Sequence, residues 1–350
     1  MAEPQRMKAW RVHAYGEPEQ ALTLDELPVP EPGPGDLRVR TEAITLNFNE
    51  LDSVQGRYRT VNPDLPFIPG MEVLGRVDAC GTGLETWLGK RVVAIPAGAY
   101  GGYAEAVICP LHGGAFEMPE DLPLPGAAAL YFPFHLSWLA LHERGQLKAG
   151  EWVLIHAAAG GAGSAAVQLA KLAGARVITT AGSAEKVAFC RSLGADVAVN
   201  YREEDFAAVA LEATDGRGVD VVFDSVGGDV TRESMRCMAF NARLLMVGFA
   251  SGIEQEDESR VELRPLLYGN VSLMGVCHAY VEDPLAFKRL TGMNFAAYAD
   301  GARLHKELLA LLAAGKIRAI VGQEVGFADL PRALARIGHR EVIGRSVVRL

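Results

Sequence analysis

Cysteine is scarce in this chain and widely scattered: Cys80, Cys109, Cys190, Cys237 and Cys277 are all there is. An odd count without short spacings argues for free thiols in a reducing compartment and against a cysteine zinc cluster. There is no long apolar run of the kind that spans a bilayer, and the polar start Met1-Ala2-Glu3-Pro4-Gln5-Arg6 does not read as a signal peptide. A cytoplasmic protein with no membrane partner is therefore expected. Positive charge is in deficit, with 34 Lys and Arg against 43 Asp and Glu and a net charge of -9. That balance does not favour binding to nucleic acid or to an anionic membrane. Repeats and low-complexity tracts are missing too. What remains is 350 residues, 49% hydrophobic and 22% charged, enough for two ordinary domains with ample core.

The most informative stretch is Trp152-Val153-Leu154-Ile155-His156, an apolar run of strand length. It leads at once into Ala157-Ala158-Ala159-Gly160-Gly161-Ala162-Gly163-Ser164, and then into a helical pattern from Val167 to Leu172. A strand, a tight small-residue turn and a helix N-terminus make a dinucleotide site, because bare backbone N–H groups can then reach a pyrophosphate. The usual G-x-G-x-x-G pattern is shifted, its three positions falling on Ala158, Gly160 and Gly163. A lone match of this kind is weak. Here it is flanked by a strand and a helix, and a second βα unit follows.

The second strand is expected at 176–180, after Gly174 as helix C-cap. In NAD-preferring proteins this strand ends on an acid that bonds the ribose 2′-hydroxyl. Here the chain reads Ala181-Gly182-Ser183-Ala184-Glu185-Lys186, with no acid at the strand end. Gly182 leaves room, Ser183 can cap the next helix, and Lys186 lies one turn in. A 2′-phosphate needs room and a cation, so NADPH is expected over NADH. Lys186 also reads as a solvated helix lysine, and Glu185 argues the other way if the loop bends toward the ribose.

The first third of the chain is β-rich, with strand patterns near 8–12, 36–40, 70–77, 91–95 and 103–108 punctuated by Gly and Pro. From about Leu124 the pattern changes to helices and parallel strands, the latter at 152–156, 176–180, 197–199, 219–223, 243–247 and 271–276. Runs such as Val219-Asp220-Val221-Val222-Phe223 suit strands covered on both faces, and repeated right-handed crossovers give a doubly wound sheet. The fold class is α/β. The tail reads as a helix near 304–314, a strand-like stretch 317–325, a short helix near 331–337 and a last strand 346–350, folding back onto the first domain.

These residues resemble the medium-chain dehydrogenase/reductase superfamily, and within it the zinc-free, zeta-crystallin-like quinone oxidoreductase group. The likeness rests on Leu46-Asn47-Phe48, Gly56-Arg57-Tyr58, Pro69 to Gly75, Gly101 to Glu105, Ala157 to Lys171, Leu193 to Asp196, Asn200-Tyr201, Asp224 to Gly228 and Gly344 to Val348. It implies a GroES-like catalytic domain over 1–131 and 296–350 and a Rossmann domain over 132–295, with NADPH between them. Ala159, Gly160, Gly161, Ala162 and Gly163 would hold the pyrophosphate, and Ser183 would lie on the 2′ side. Lys186, Tyr201 and Arg340 match contacts to the 2′-phosphate. Taken alone, Tyr201 reads as a core or edge tyrosine and Arg340 as a surface arginine.

Zinc-dependent members place a His-Glu pair where this chain has Met71-Glu72, and a cysteine where it has Leu46 to Glu50. Three good metal ligands cannot be assembled. Reduction of an already electrophilic acceptor, a quinone or an α,β-unsaturated carbonyl, needs only orientation and donors for the developing oxyanion. The resemblance offers Tyr58 and Asn47 as those donors, although Tyr58 also reads as a packing aromatic and Asn47 as a turn residue. Glu50 and Asp52 depart from the family pattern, as does the segment Phe134 to Trp138. His135, taken as a helix-start residue, and His156 both read as structural. An enoyl-thioester reductase and an NADPH-binding protein with little turnover stay open as alternatives. The resemblance also implies a homodimer joined along strand 271–276.

Overall fold

The computed structural model describes residues 5–57, 63–251 and 263–350, which gather into two units. The first comprises Met1–Tyr131, Ala279–Leu309 and Ala319–Leu350; the second comprises Phe132–His278 and Ala310–Arg318.

The spine of the first unit is the strand Asp36–Leu46. Its early half alternates between buried and partly exposed positions, and its last four residues are all buried, as a strand does when it passes from the rim into the middle of a core. It pairs antiparallel with Val73–Cys80, Ala106–Pro110 and the C-terminal Arg345–Arg349. Arg345–Arg349 also runs parallel to Val321–Gly326, so the tail completes the sheet begun by Asp36–Leu46. Leu37, Val39, Ile44, Leu46, Val73, Val92, Tyr103 and Val348 fill its interior.

The second unit holds six parallel strands in the order 197–200, 176–181, 152–155, 219–224, 238–246, 272–275. The order reverses direction at Trp152–Ile155, and in open α/β sheets ligands bind at such a switch point. The fifth strand begins at Met238, five residues before the expected start, because Val219 already pairs with Met238 ahead of a bulge.

Several expectations need correction. The second domain does not run to residue 295: Tyr280–Val281 pairs with Ala296–Ala297, and the Tyr280 ring meets Phe116 edge-on at 5.7 Å, so 279–309 belongs to the first unit. The main-chain N–H and C=O of Arg318 are bonded by Gln168, so 310–318 lies with the second. His135 stands in the last turn of the helix Leu124–Trp138, not at its start. That helix continues to Arg144 and is long and apolar enough to cross a membrane, contrary to the reading of the sequence. However, 67% of its most apolar stretch is buried, as in a core helix.

Candidate active site

The turn after the first parallel strand is built without side chains in its way. Ala157 takes a left-handed backbone with φ of 48°, uncommon for a residue with a Cβ, and Gly160 N–H closes the turn onto Ala157 C=O at 2.9 Å. Gly160 is the N-cap of Gly161–Leu172 and supplies no capping side chain, so the first-turn N–H groups meet no cap from within. Gly163 is required by packing: a Cβ there would stand 2.5 Å from the Ala157 carbonyl oxygen and 2.6 Å from Ala158 Cα. Ala158 and Ala159 are buried, and Ser137 Oγ donates to Ala162 C=O at 2.9 Å, bracing the turn from the preceding helix.

Below the turn, His156 is fully enclosed. Its Nδ1 bonds Thr180 Oγ1 at 2.9 Å and its Nε2 bonds Ser234 Oγ at 2.8 Å. Burial pulls its pKa down to about 4, against a smaller opposing pull from Asp224. A neutral ring with both nitrogens engaged is a structural strut.

At the end of Arg176–Ala181, Ser183 caps the helix Ala184–Ser192 by accepting the N–H of Lys186 at 3.3 Å. Lys186 is half-buried and Glu185 exposed on the same turn. Tyr201, just past the neighbouring strand Val197–Asn200, donates its N–H to Ala181 C=O at 3.1 Å and lies against Gly182. Gly182, Ser183, Lys186 and Tyr201 are thus brought together. Arg340 belongs to the other unit, in a left-handed conformation just past the helix Leu330–Gly338.

The first unit holds a buried polar cluster. Asn47 is the N-cap of Phe48–Val54, and its N–H is received by Glu50 Oε2 at 2.7 Å, one half of a capping box. Glu50 also accepts from the Tyr103 hydroxyl at 2.7 Å and from Met71 N–H at 2.8 Å. Burial pushes the Glu50 carboxyl above its ordinary value, and these donors offset only part of that rise. Glu72 is held by Thr45 Oγ1 and paired with Arg345. The same guanidinium donates to Asn47 Oδ1 at 2.6 Å, while Asn47 Nδ2 makes longer contacts to Thr45 C=O at 3.4 Å and Glu50 Oε1 at 3.3 Å. Asp52, the other departure from the family pattern, is paired with Arg57 at 2.5 Å. Tyr58 lies outside the described residues.

Reading the sequence for chemistry missed Arg345 and Tyr103. Neither is close in sequence to what it holds, and no spacing rule could have found them. Among the described residues, no group of three or more His, Cys, Asp or Glu is placed to hold a metal ion.

Residues 33–120 match the family model described as an alcohol dehydrogenase GroES-like domain, and residues 161–291 the one described as a zinc-binding dehydrogenase. A quinone oxidoreductase of Pseudomonas aeruginosa is 34% identical over 340 residues, covering 96% of this chain and 97% of that one. A 2-haloacrylate reductase of a Burkholderia species is 35% identical over 248 residues, covering 69% and 73%. The crystal structure of Escherichia coli quinone oxidoreductase complexed with NADPH superposes with a TM-score of 0.86 at 28% identity, covering 98% of this chain and all of that one. The chain belongs to the medium-chain dehydrogenase/reductase superfamily, in its zeta-crystallin-like quinone oxidoreductase group.

Proposed function

We propose that this protein is an NADPH-dependent reductase of quinones or α,β-unsaturated carbonyls that works without a metal. The observation that carries the cofactor reading is the end of the second parallel strand. No carboxylate ends the strand; Tyr201 lies against Gly182, and Lys186 follows in the first turn of the helix Ala184–Ser192. Lys186, Tyr201 and Arg340 would meet the 2′-phosphate, and the backbone from Ala159 to Gly163 would receive the pyrophosphate. The bare helix N-terminus and the Gly163 packing fit that group. The Escherichia coli relative is complexed with NADPH. When bound, this cofactor supplies a hydride.

The protein's own part is to orient the acceptor and stabilise its developing oxyanion. Tyr58 and Asn47 are the proposed donors. Because a guanidinium has only donors, Arg345 fixes the Asn47 amide oxygen, and Nδ2 is the donating side, to be drawn to the oxyanion from its long contacts to Thr45 C=O and Glu50 Oε1. An electrophilic acceptor is also what the names of the two relatives describe, a quinone and a haloacrylate. We place the protein in a reducing compartment, as a homodimer joined along the edge strand Ser272–Gly275.

The test is a steady-state screen of quinones, small enones and enoyl thioesters with NADPH carrying deuterium at C4. Label on the β-carbon of an enone product is expected, in enzyme stripped of metal by a strong chelator. Tyr58→Phe should lower kcat more than it changes NADPH affinity. Turnover confined to enoyl thioesters, or lost with the metal, would overturn the reading.

A further inference from the structure

His156 is the last residue before the bare turn, and the hydrogen bonds around its ring have a direction. Ser234 Oγ donates to Val230 C=O at 2.7 Å, which uses its one proton. Toward His156 Nε2, 2.8 Å away, the same oxygen can only accept, so Nε2 carries the ring hydrogen. The ring is neutral, its pKa drawn down to about 4 by burial, so Nδ1 is an acceptor and Thr180 Oγ1 donates to it at 2.9 Å. One ordered chain therefore runs from Thr180 on the second parallel strand, through the imidazole, to the helix Asp229–Ser234.

Thr180 grips the turn twice. Its hydroxyl holds the ring of His156, and its C=O accepts the N–H of Ala158 at 3.2 Å. The main chain of His156 is fixed on the other side, where its N–H is received by Phe223 C=O at 3.1 Å. Between the two grips stands Ala157, the residue that takes a left-handed backbone against the preference of its Cβ. The rest of the turn hangs on that conformation. Ala157 C=O receives Gly160 N–H, and it is the atom against which Gly163 packs. His156 and Thr180 are 1% and 2% exposed, so bulk water does not replace a lost partner.

We propose that His156 is a positioning residue for the dinucleotide: held by Thr180, it keeps Ala157 left-handed and so keeps the backbone from Ala159 to Gly163 set for a pyrophosphate. This rests on the reading of that turn as the pyrophosphate site. The ring is enclosed beneath the turn and acts only through it. NADPH and NADH share the pyrophosphate, so breaking the chain of bonds weakens both alike.

The experiment is an equilibrium titration, by nicotinamide fluorescence, of NADPH and NADH against the native protein, Thr180→Val, His156→Leu, the double variant and Gly160→Asp. Thr180→Val keeps the shape of the side chain and removes its donor. It should weaken both cofactors about tenfold, with the double variant no worse than His156→Leu. Imidazole nitrogen NMR of the native protein should place the His156 hydrogen on Nε2. Native affinity in Thr180→Val and His156→Leu beside a lowered urea midpoint would make the ring a strut and nothing more. That result, a loss confined to NADPH, additive losses in the double variant, or a hydrogen on Nδ1 would each overturn the proposal. Gly160→Asp tests the reading beneath it. An aspartate caps the helix but sets a carboxylate where the pyrophosphate would lie, so binding of both cofactors should be lost. If Gly160→Asp bound them as the native protein does, the turn would not be the pyrophosphate site, and the role of His156 would fall with it.

Discussion

Arg345 holds Asn47 across 298 positions of chain, Nη1 to Oδ1 at 2.6 Å, and with the same guanidinium neutralises Glu72. Both ion-pair partners are buried, Glu72 at 1% and Arg345 at 6% exposed. In zinc-dependent members of the superfamily a His-Glu pair serves a metal. Here the Glu of Met71-Glu72 serves an arginine.

A charge left alone in such a place is expensive. Glu72→Ala should lower the unfolding free energy by about 3–5 kcal/mol, because it strands the guanidinium. Glu72→Leu combined with Arg345→Met should recover most of that loss. Urea denaturation of the two variants and the native protein at neutral pH checks both statements, and a loss below about 1 kcal/mol for Glu72→Ala would show that water reaches the pair.

Cofactor discrimination is expected to follow Lys186. Losing one charge-assisted contact costs about 1.5–3 kcal/mol, or roughly ten- to a hundred-fold in affinity. Lys186→Ala should therefore weaken NADPH by that factor and leave NADH nearly unchanged. Binding titrations with both cofactors decide the matter, since an equal loss for the two would place Lys186 outside the 2′-phosphate site.

Acid should destabilise the fold from below pH 6.5. Burial holds His156 and His305 at about 4 and His278 at about 3, against 6.5 for an ordinary histidine. In that window the unfolded chain binds protons that the native protein refuses, so stability is complete above pH 6.5 and is lost as pH falls toward these values. Glu50 works in the opposite sense: its raised pKa means the native state takes up a proton first, so its contribution grows as pH falls through that value. His156→Gln, which keeps a donor and an acceptor, should flatten the dependence of the urea midpoint between pH 6.5 and 4 by about one proton's worth. An unchanged slope would mean that the ring is protonated in the native state.

The edge strand sets the expected assembly. Ser272–Gly275 ends the parallel sheet, and Phe240, Leu263, Leu267, Tyr268 and Leu273 are exposed in the segments at this end of the sheet. An apolar edge of this kind invites pairing. Light scattering should give twice the 37.5 kDa chain mass, and Leu273→Lys should return it to one. A native monomer at low concentration would contradict the dimer.

What could be read from the sequence followed local rules. The apolar run at Val219, the bare turn before Gly163 and the Ser183 cap each depend on residues a few positions apart, where spacing and conformation suffice. The Arg345, Asn47 and Glu72 cluster depends instead on strand register, Ser346 opposite Leu46. No pattern within either segment encodes that alignment. The boundary near 279 escaped for a similar reason. It is set by the seating of Tyr280 beneath Gly301 and against Phe116, a choice made by packing and not by composition. Gly182 reads as room for a phosphate, and its contact with Tyr201, which follows the neighbouring strand, has no signal in the local sequence.

The C-terminal strand Arg345–Arg349 has a consequence for the order of assembly during synthesis. The six parallel strands lie between residues 152 and 275, so their sheet can form while the chain is still being made. The sheet of the first unit cannot. Its long strand Asp36–Leu46 leaves the ribosome early relative to its partner, for the strand that pairs with its inner half emerges some 300 residues later. Until then Ile44 and Leu46 lack one flank, and Glu72 waits without its counter-charge. Domains are synthesised at about 5–20 residues per second, so that interval lasts tens of seconds. Arg345–Arg349 finishes the interior begun by Asp36–Leu46, and a chain truncated before Arg345 would leave it open.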